Sequence, residues 1–283
     1  MTRGVLVDLG RCIGCRSCQV ACKAWNDNTN EVTLCLGCYD NPPRFSANTW
    51  SLIRFDEVAE GEQLHWVFSK LQCMHCEHPA CAAACPVSAL EKTPEGPVIY
   101  HDERCIGCRY CQVACPFHVP TFQWDRPVPF IRKCTFCVDR VSQGTEPACV
   151  KACPTDALTF GEREALLVEA RKRMAARPGK YVDHIYGEKE VGGTSWLYIS
   201  PVPFELLGFI AHGAVKMGFP TLDAERADKF ASVAMGVMPA WILTATAGLS
   251  GLYWFAKRRE KGLQARREAQ AKKAGRSEHE GEA

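Results

Sequence analysis

The string CIGCRSCQVAC, from Cys12 to Cys22, returns almost unchanged as CIGCRYCQVACP from Cys105 to Pro116. No other feature constrains the chain as much. Eighteen cysteines in 283 residues are too many for packing alone, and most fall in C-x-x-C units, a pattern that asks for a metal. A disulfide scaffold is the alternative. Such scaffolds belong to short secreted chains, and this sequence has neither that length nor a recognisable signal peptide. The formal net charge of +2 gives no general reason to expect nucleic acid.

Four cysteine groups can be read along the chain: Cys12, Cys15, Cys18 and Cys22; Cys73, Cys76, Cys81 and Cys85; Cys105, Cys108, Cys111 and Cys115; Cys134, Cys137, Cys149 and Cys153. The last three end on Pro86, Pro116 and Pro154, whereas the first has Lys23 there. The first and third groups match the bacterial ferredoxin run C-x2-C-x2-C-x3-C. Thiolates two residues apart can converge on one face of an iron-sulfur cubane because the intervening backbone curls around it, and Gly14 and Gly107 fit that curl. The fourth cysteine is expected to open a helix leading away, toward a neighbouring cluster, so the groups must come in pairs. Sixteen cysteines in four groups then supply four 4Fe-4S clusters. Zinc ribbons are the chemical rival, but they use two C-x2-C pairs, and three or four cysteines in one run are excess for a single tetrahedral ion.

Strand-like GVLVDL and PVIYHD precede the first and third groups, and QVACKAW and QVACPF continue them as short helices. The stretch from Asn26 to Glu62 reads as an excursion carrying strand-like TWSLIRF, and ALTFGEREALLVEARKRMAARPG as a strand followed by an amphipathic helix that Pro178 and Gly179 end. With so little apolar core, much of the folding free energy should come from metal ligation. Cys35 and Cys38 are left over, and a disulfide, a half-site for another ion and two ordinary thiols all remain open for them. His75, His78 and His118 could donate to cluster sulfides or simply satisfy local backbone. Arg11, Arg16, Arg104 and Arg109 could favour a reduced cluster or face solvent. No phosphate-binding glycine loop or nucleophile motif is present.

From Phe230 to Ala256 no residue is charged, a run longer than the about 20 apolar residues that cross a bilayer. Trp241, Tyr253 and Trp254 suit interfacial anchors, and a buried soluble helix is the alternative. The basic tail after the run places it in the cytoplasm by the positive-inside rule, which leaves the cysteine groups on the far side.

In group order, in the spacing C-x2-C-x4-C-x3-C-P of the second group and in the long gap within the fourth, residues 1–200 resemble the four-cluster iron-sulfur subunits of membrane oxidoreductases. These accompany molybdopterin enzymes such as formate dehydrogenase and sulfur-compound reductases, and some nickel-iron hydrogenases. Downstream, GGTSWLYISPVPFELLGF resembles the formate dehydrogenase and hydrogenase members. The resemblance implies ligand sets of Cys12, Cys15, Cys18 and Cys153; Cys22, Cys134, Cys137 and Cys149; Cys73, Cys76, Cys81 and Cys115; and Cys85, Cys105, Cys108 and Cys111. It implies an α+β fold of two pseudo-symmetric double-cluster ferredoxin-like domains plus one carboxyl-terminal transmembrane helix. The segments expected are 1–72 and 73–133, each ferredoxin-like, 134–200 returning to the first, a partner-docking linker at 201–229, the span at 230–256 and a basic tail at 257–283. The implied work is non-catalytic electron transfer from a catalytic large subunit, molybdopterin or nickel-iron, to a quinone-reactive cytochrome b subunit. The setting implied is the bacterial inner membrane, with the cluster domain periplasmic and exported with its catalytic partner. A redox-sensing or structural iron-sulfur module is the alternative of another class.

Overall fold

The structure, a computed structural model, describes residues 2–34, 37, 39–124, 130–209, 236–237 and 239–261. Cys35, Cys38 and the tail beyond 261 lie outside the described residues. Two compact units are distinguished, Met1–Ser232 and Val233–Ala283.

In chain order the first unit contains β1 (Arg3–Asp8), α1 (Ser17–Trp25), β2 (Ser51–Glu60), β3 (Gln63–Gln72), α2 (Ala80–Ala83), β4 (Leu90–Lys92), β5 (Val98–Tyr100), α3 (Tyr110–Ala114), β6 (Thr121–Phe122), β7 (Ile131–Arg132), α4 (Val138–Val141), α5 (Ala148–Lys151), β8 (Leu158–Glu162), α6 (Arg163–Ala175) and β9 (Trp196–Ile199). The strands expected before the first and third groups are β1 and β5, and the expected strand and helix after the fourth are β8 and α6.

The largest sheet has the order β8-β1-β9. Val5 lies opposite Phe160 in the antiparallel pairing and opposite Trp196 in the parallel one. Successive side chains on a strand point to opposite faces, and both faces here are apolar. Val5, Val7, Trp196 and Tyr198 pack toward the cysteine-bearing core, while Leu6, Leu197 and Ile199 pack against Leu166, Leu167 and Ala170. Those last three lie on one side of α6, a run of good helix formers with Glu164 in its first turn and Lys172 and Arg173 in its last, as the helix dipole favours. Each large apolar side chain so buried contributes about 1.5–3 kcal/mol.

The excursion before the second group is larger than its sequence indicates. TWSLIRF becomes β2, and β3 pairs with it along its whole length, from Ser51 opposite Gln72 to Glu60 opposite Gln63. The corresponding hairpin before the fourth group, β6 with β7, pairs only Thr121 with Arg132 and Phe122 with Ile131. After β9, Val202, Phe204 and Leu207 are buried in the main core beside Trp196, so the segment expected as a linker begins inside that core.

In the second unit, residues 239–261 are helical and their side chains are exposed. Among the described residues no helix is long and apolar enough to cross a membrane. Residues 230–235 and 238 of the expected span lie outside them.

Candidate metal centres

Every group opens with C-x-x-C, and the residue before the second cysteine is left-handed in all four: Gly14 (φ 66°), His75 (φ 48°), Gly107 (φ 71°) and Phe136 (φ 61°). This conformation curls the loop and can turn successive backbone N–H groups toward one concavity. Glycine adopts it without steric penalty, whereas another residue gives up about 1–2 kcal/mol. His75 and Phe136 are buried, and their rings meet edge to face at 5.0 Å.

The fourth cysteines do not open helices, contrary to expectation. The third cysteine of each group lies at or near the start of a helix, and the fourth follows one turn later: Cys18 and Cys22 on α1, Cys81 in α2 with Cys85 beyond it, Cys111 in α3 with Cys115 at its end, Cys149 in α5 with Cys153 beyond it. A rise of 1.5 Å per residue separates such a pair by about 6 Å along the axis. Proline explains why the last three helices are short, because the residue before proline is pushed out of the helical region. Lys23 imposes no such stop, and α1 runs on to Trp25. After the three C-P steps the chain turns through Ser88, His118 and Asp156, each at φ 51°.

Sulfurs from distant parts of the chain gather around common spaces. A cavity of about 380 Å³, counting its open mouth, is lined by Cys12, Cys15, Cys18 and Cys153, with Lys70 in its wall. The thiols acting on Cys22 include Cys149 and Cys137, and those acting on Cys134 are Cys22, Cys73, Cys149 and Cys137. Cys76 is influenced by Cys115, Cys73 and Cys81, and Cys111 by Cys81, Cys108, Cys85 and Cys105. Among the described residues no three side chains of His, Cys, Asp or Glu converge as a site for a single metal ion. Sixteen thiols in four groups of ferredoxin-type spacing suit polynuclear centres.

The surroundings fit such a centre. Burial, reinforced by neighbouring thiols, pushes Cys18, Cys22 and Cys111 up to about 12. Burial also raises Cys137, to about 11. Left bare, these thiols stay neutral at pH 7, and bound metal supplies the positive charge that deprotonates them. His75 Nδ1 accepts the Val98 backbone N–H at 2.9 Å, which leaves its proton on Nε2. That atom is buried without a partner among the described residues, as is Trp196 Nε1. Burial, with the charges of Lys133 and Lys92, holds His75 well below the ordinary histidine range. Two orphaned N–H donors amid the cysteines match the acceptor sulfides of an iron-sulfur cluster.

The remaining sequence candidates separate. His78 and His118 are exposed. Arg11 pairs with Asp8 at 3.4 Å, Arg104 lies 3.8 Å from both Glu91 and Glu103, Arg16 stacks 4.7 Å over Phe55, and Arg109 stacks 4.3 Å over Trp124. Sequence reasoning missed Lys70, Lys133 and Trp196, whose burial among the groups depends on hairpin and sheet pairings that no local motif announces.

Models of a 4Fe-4S dicluster domain match residues 11–89 and 64–163. A protein of Nitratidesulfovibrio vulgaris is 40% identical over 277 residues, which is 95% of this chain and 70% of that protein. The formate dehydrogenase, nitrate-inducible, iron-sulfur subunit of Escherichia coli K12 is 45% identical over 197 residues, 69% of this chain and 66% of that subunit. The hydrogenase-2 operon protein HybA of Escherichia coli O157:H7 is 36% identical over 239 residues, 72% of this chain and 71% of HybA. The chain belongs to the four-cluster iron-sulfur subunit family. Tandem dicluster domains of ferredoxin type are the fold of this iron-sulfur subunit, and the sixteen cysteines of its four groups are the complement of four 4Fe-4S clusters. When bound, each such cluster takes up and releases one electron.

Proposed function

We propose that the subunit conducts electrons between a catalytic large subunit and a quinone-reactive membrane subunit, and makes or breaks no bond itself. The four ligand sets implied by family resemblance form a series when read against shared burial. Cys18 and Cys149, from the first two sets, lie in one apolar cluster. Cys22 and Cys134 of the second set lie with Cys73 and Cys115 of the third in another. Cys81 of the third set packs against the cluster holding Cys111 of the fourth, as does Cys105. The described cysteines exposed to solvent are Cys15 and Cys108, one in each terminal set. A buried series with an open thiol at both ends is the observation that carries the reading, because a conductor needs an entrance and an exit whereas a structural cluster needs neither.

Formate oxidation is the preferred partner reaction, on the higher identity to a formate dehydrogenase subunit than to HybA. A hydrogenase-type complex is the second reading. The exposed apolar side chains of the carboxyl-terminal helix, among them Ile242, Leu243, Leu249 and Leu252, support a membrane anchor over 230–256. The basic tail after it supports a cytoplasmic end with the cysteine-bearing part periplasmic. Protein purified anaerobically should contain about sixteen iron atoms per chain and give paramagnetic signals on reduction. Colourless, zinc-loaded protein would end the reading. The large subunit that co-purifies names the reaction by its active-site metal, and protease added to spheroplasts should digest the cysteine-bearing part.

A further inference from the structure

Two lysines are buried inside the protein without an acidic partner. Lys70 is 1% exposed and Lys133 is 4% exposed, and neither takes part in any ion pair among the described residues. Lys70 Nζ donates to Ser51 Oγ and Gln72 Oε1, both at 2.8 Å, and lies 4.6 Å over the Trp196 ring. Lys133 Nζ donates to the backbone oxygens of Val98 at 2.5 Å and Cys134 at 3.1 Å. Neutral acceptors orient an ammonium group without cancelling its charge, and an uncompensated charge in an apolar interior is among the costliest things a fold can hold. A methionine would fill either space without that cost.

The compensating negative charge is sulfur. Lys70 stands in the wall of the cavity lined by Cys12, Cys15, Cys18 and Cys153. Trp196, over whose ring the ammonium sits, packs in the same apolar cluster as Cys18 and Cys149, one cysteine from each of the two centres. Lys133 Nζ holds the carbonyl of Val98, the residue whose N–H is held by His75 next to Cys76, and Cys76 shares its implied ligand set with Cys81. The arrangement is crossed: β3, which carries Lys70, leads into Cys73 of the second group, yet its ammonium faces sulfurs of the first and fourth. Lys133 directly precedes Cys134 of the fourth group, yet its charge reaches the second.

We propose that Lys70 and Lys133 are fixed internal cations that each favour the reduced state of the centres they face, Lys70 at the two centres formed by the first and fourth groups and Lys133 at the centre holding Cys81. The proposal rests on the four-cluster reading above. Reduction adds one electron to a centre, and a positive charge held nearby in a low-dielectric interior lowers the free energy of the more negative state. No proton need move, because the ammonium is charged before and after. The two lysines therefore act as positioning residues for charge, setting the relative potentials of the two halves.

The test is a redox titration of the anaerobically purified complex, followed by electron paramagnetic resonance, with iron content measured on every sample. Lys70→Met should make reduction of two centres about tenfold less favourable, about 59 mV for one electron, and leave the other two in place. Lys133→Met should move a centre that Lys70→Met leaves unmoved, and Lys70→Arg should stay near wild type. Unchanged potentials in fully loaded Lys70→Met and Lys133→Met proteins overturn the proposal, as does an equal shift of all centres. If Lys70→Met loses iron, retention by Lys70→Arg supports the charge requirement, and loss from both assigns the residue to packing and overturns its role. A wild-type protein without reducible centres would instead sink the reading of function.

Discussion

The first and third cysteine groups carry nearly the same phrase, yet the protein surrounds them differently. Around Cys12–Cys22 stand the β8-β1-β9 sheet and the long β2–β3 hairpin, whose Phe55 and Phe68 rings meet at 5.1 Å. A Cβ placed on Gly14 would lie 2.8 Å from Phe68. Around Cys105–Cys115 stand the short pairs β4–β5 and β6–β7 and the one-turn helix α2, and a Cβ on Gly107 would meet nothing within 4 Å. A coordination phrase thus specifies how the backbone wraps a centre and leaves open how much apolar protein supports it. The first region can hold shape through packing, while the third must draw more of its stability from ligation.

Removing iron should expose this contrast most strongly. After chelation under reducing conditions, backbone amides of residues 90–122 should exchange with solvent at close to unfolded rates, while β1 and β9, 0–1% exposed from Val5 to Val7 and from Trp196 to Ile199, retain protection. Simultaneous loss in both regions, followed by hydrogen exchange, would mean that the sheet is no more self-sufficient than the small hairpins.

Glycine replacement probes the same difference on a smaller scale. Gly107→Ala should cost about 1–2 kcal/mol from its left-handed backbone alone. Gly14→Ala carries the same strain and also drives a methyl group into Phe68, so its thermal midpoint should fall further. Equal shifts in the two variants would remove the packing distinction.

The arginine stacks give the smallest effect. Truncating Arg109 removes an exposed cation–π contact worth about 0.5–1 kcal/mol. Arg16→Ala also removes guanidinium bonds to the backbone oxygens of Tyr39 and Asn41, and should destabilise more in a matched denaturation series.

Much of the first unit was legible because thiols at fixed spacing have few uses. The curl at Gly14 and Gly107, the strands β1 and β5, and α6 all followed from local chemistry. The turns at His75 and Phe136 did not, since no glycine marks them and the burial of their rings against each other joins residues far apart in sequence. β3 was hidden for a related reason: Leu64 and Trp66 are exposed while Ser69 and Lys70 are buried, so the alternation that announces a half-buried strand is broken. The meaning of Lys23 emerged only from helix lengths, where the absence of proline lets α1 continue.

β1 is flanked by β8 and β9, and the cavity begun by Cys12 is closed by Cys153. A ribosome emits the opening strand long before either neighbour exists, and a chain that stops early has nothing with which to finish that wall. Synthesis through β9, which ends at Ile199, is therefore a precondition for closing this site, so a polypeptide interrupted before that point lacks the full enclosure before any partner is met.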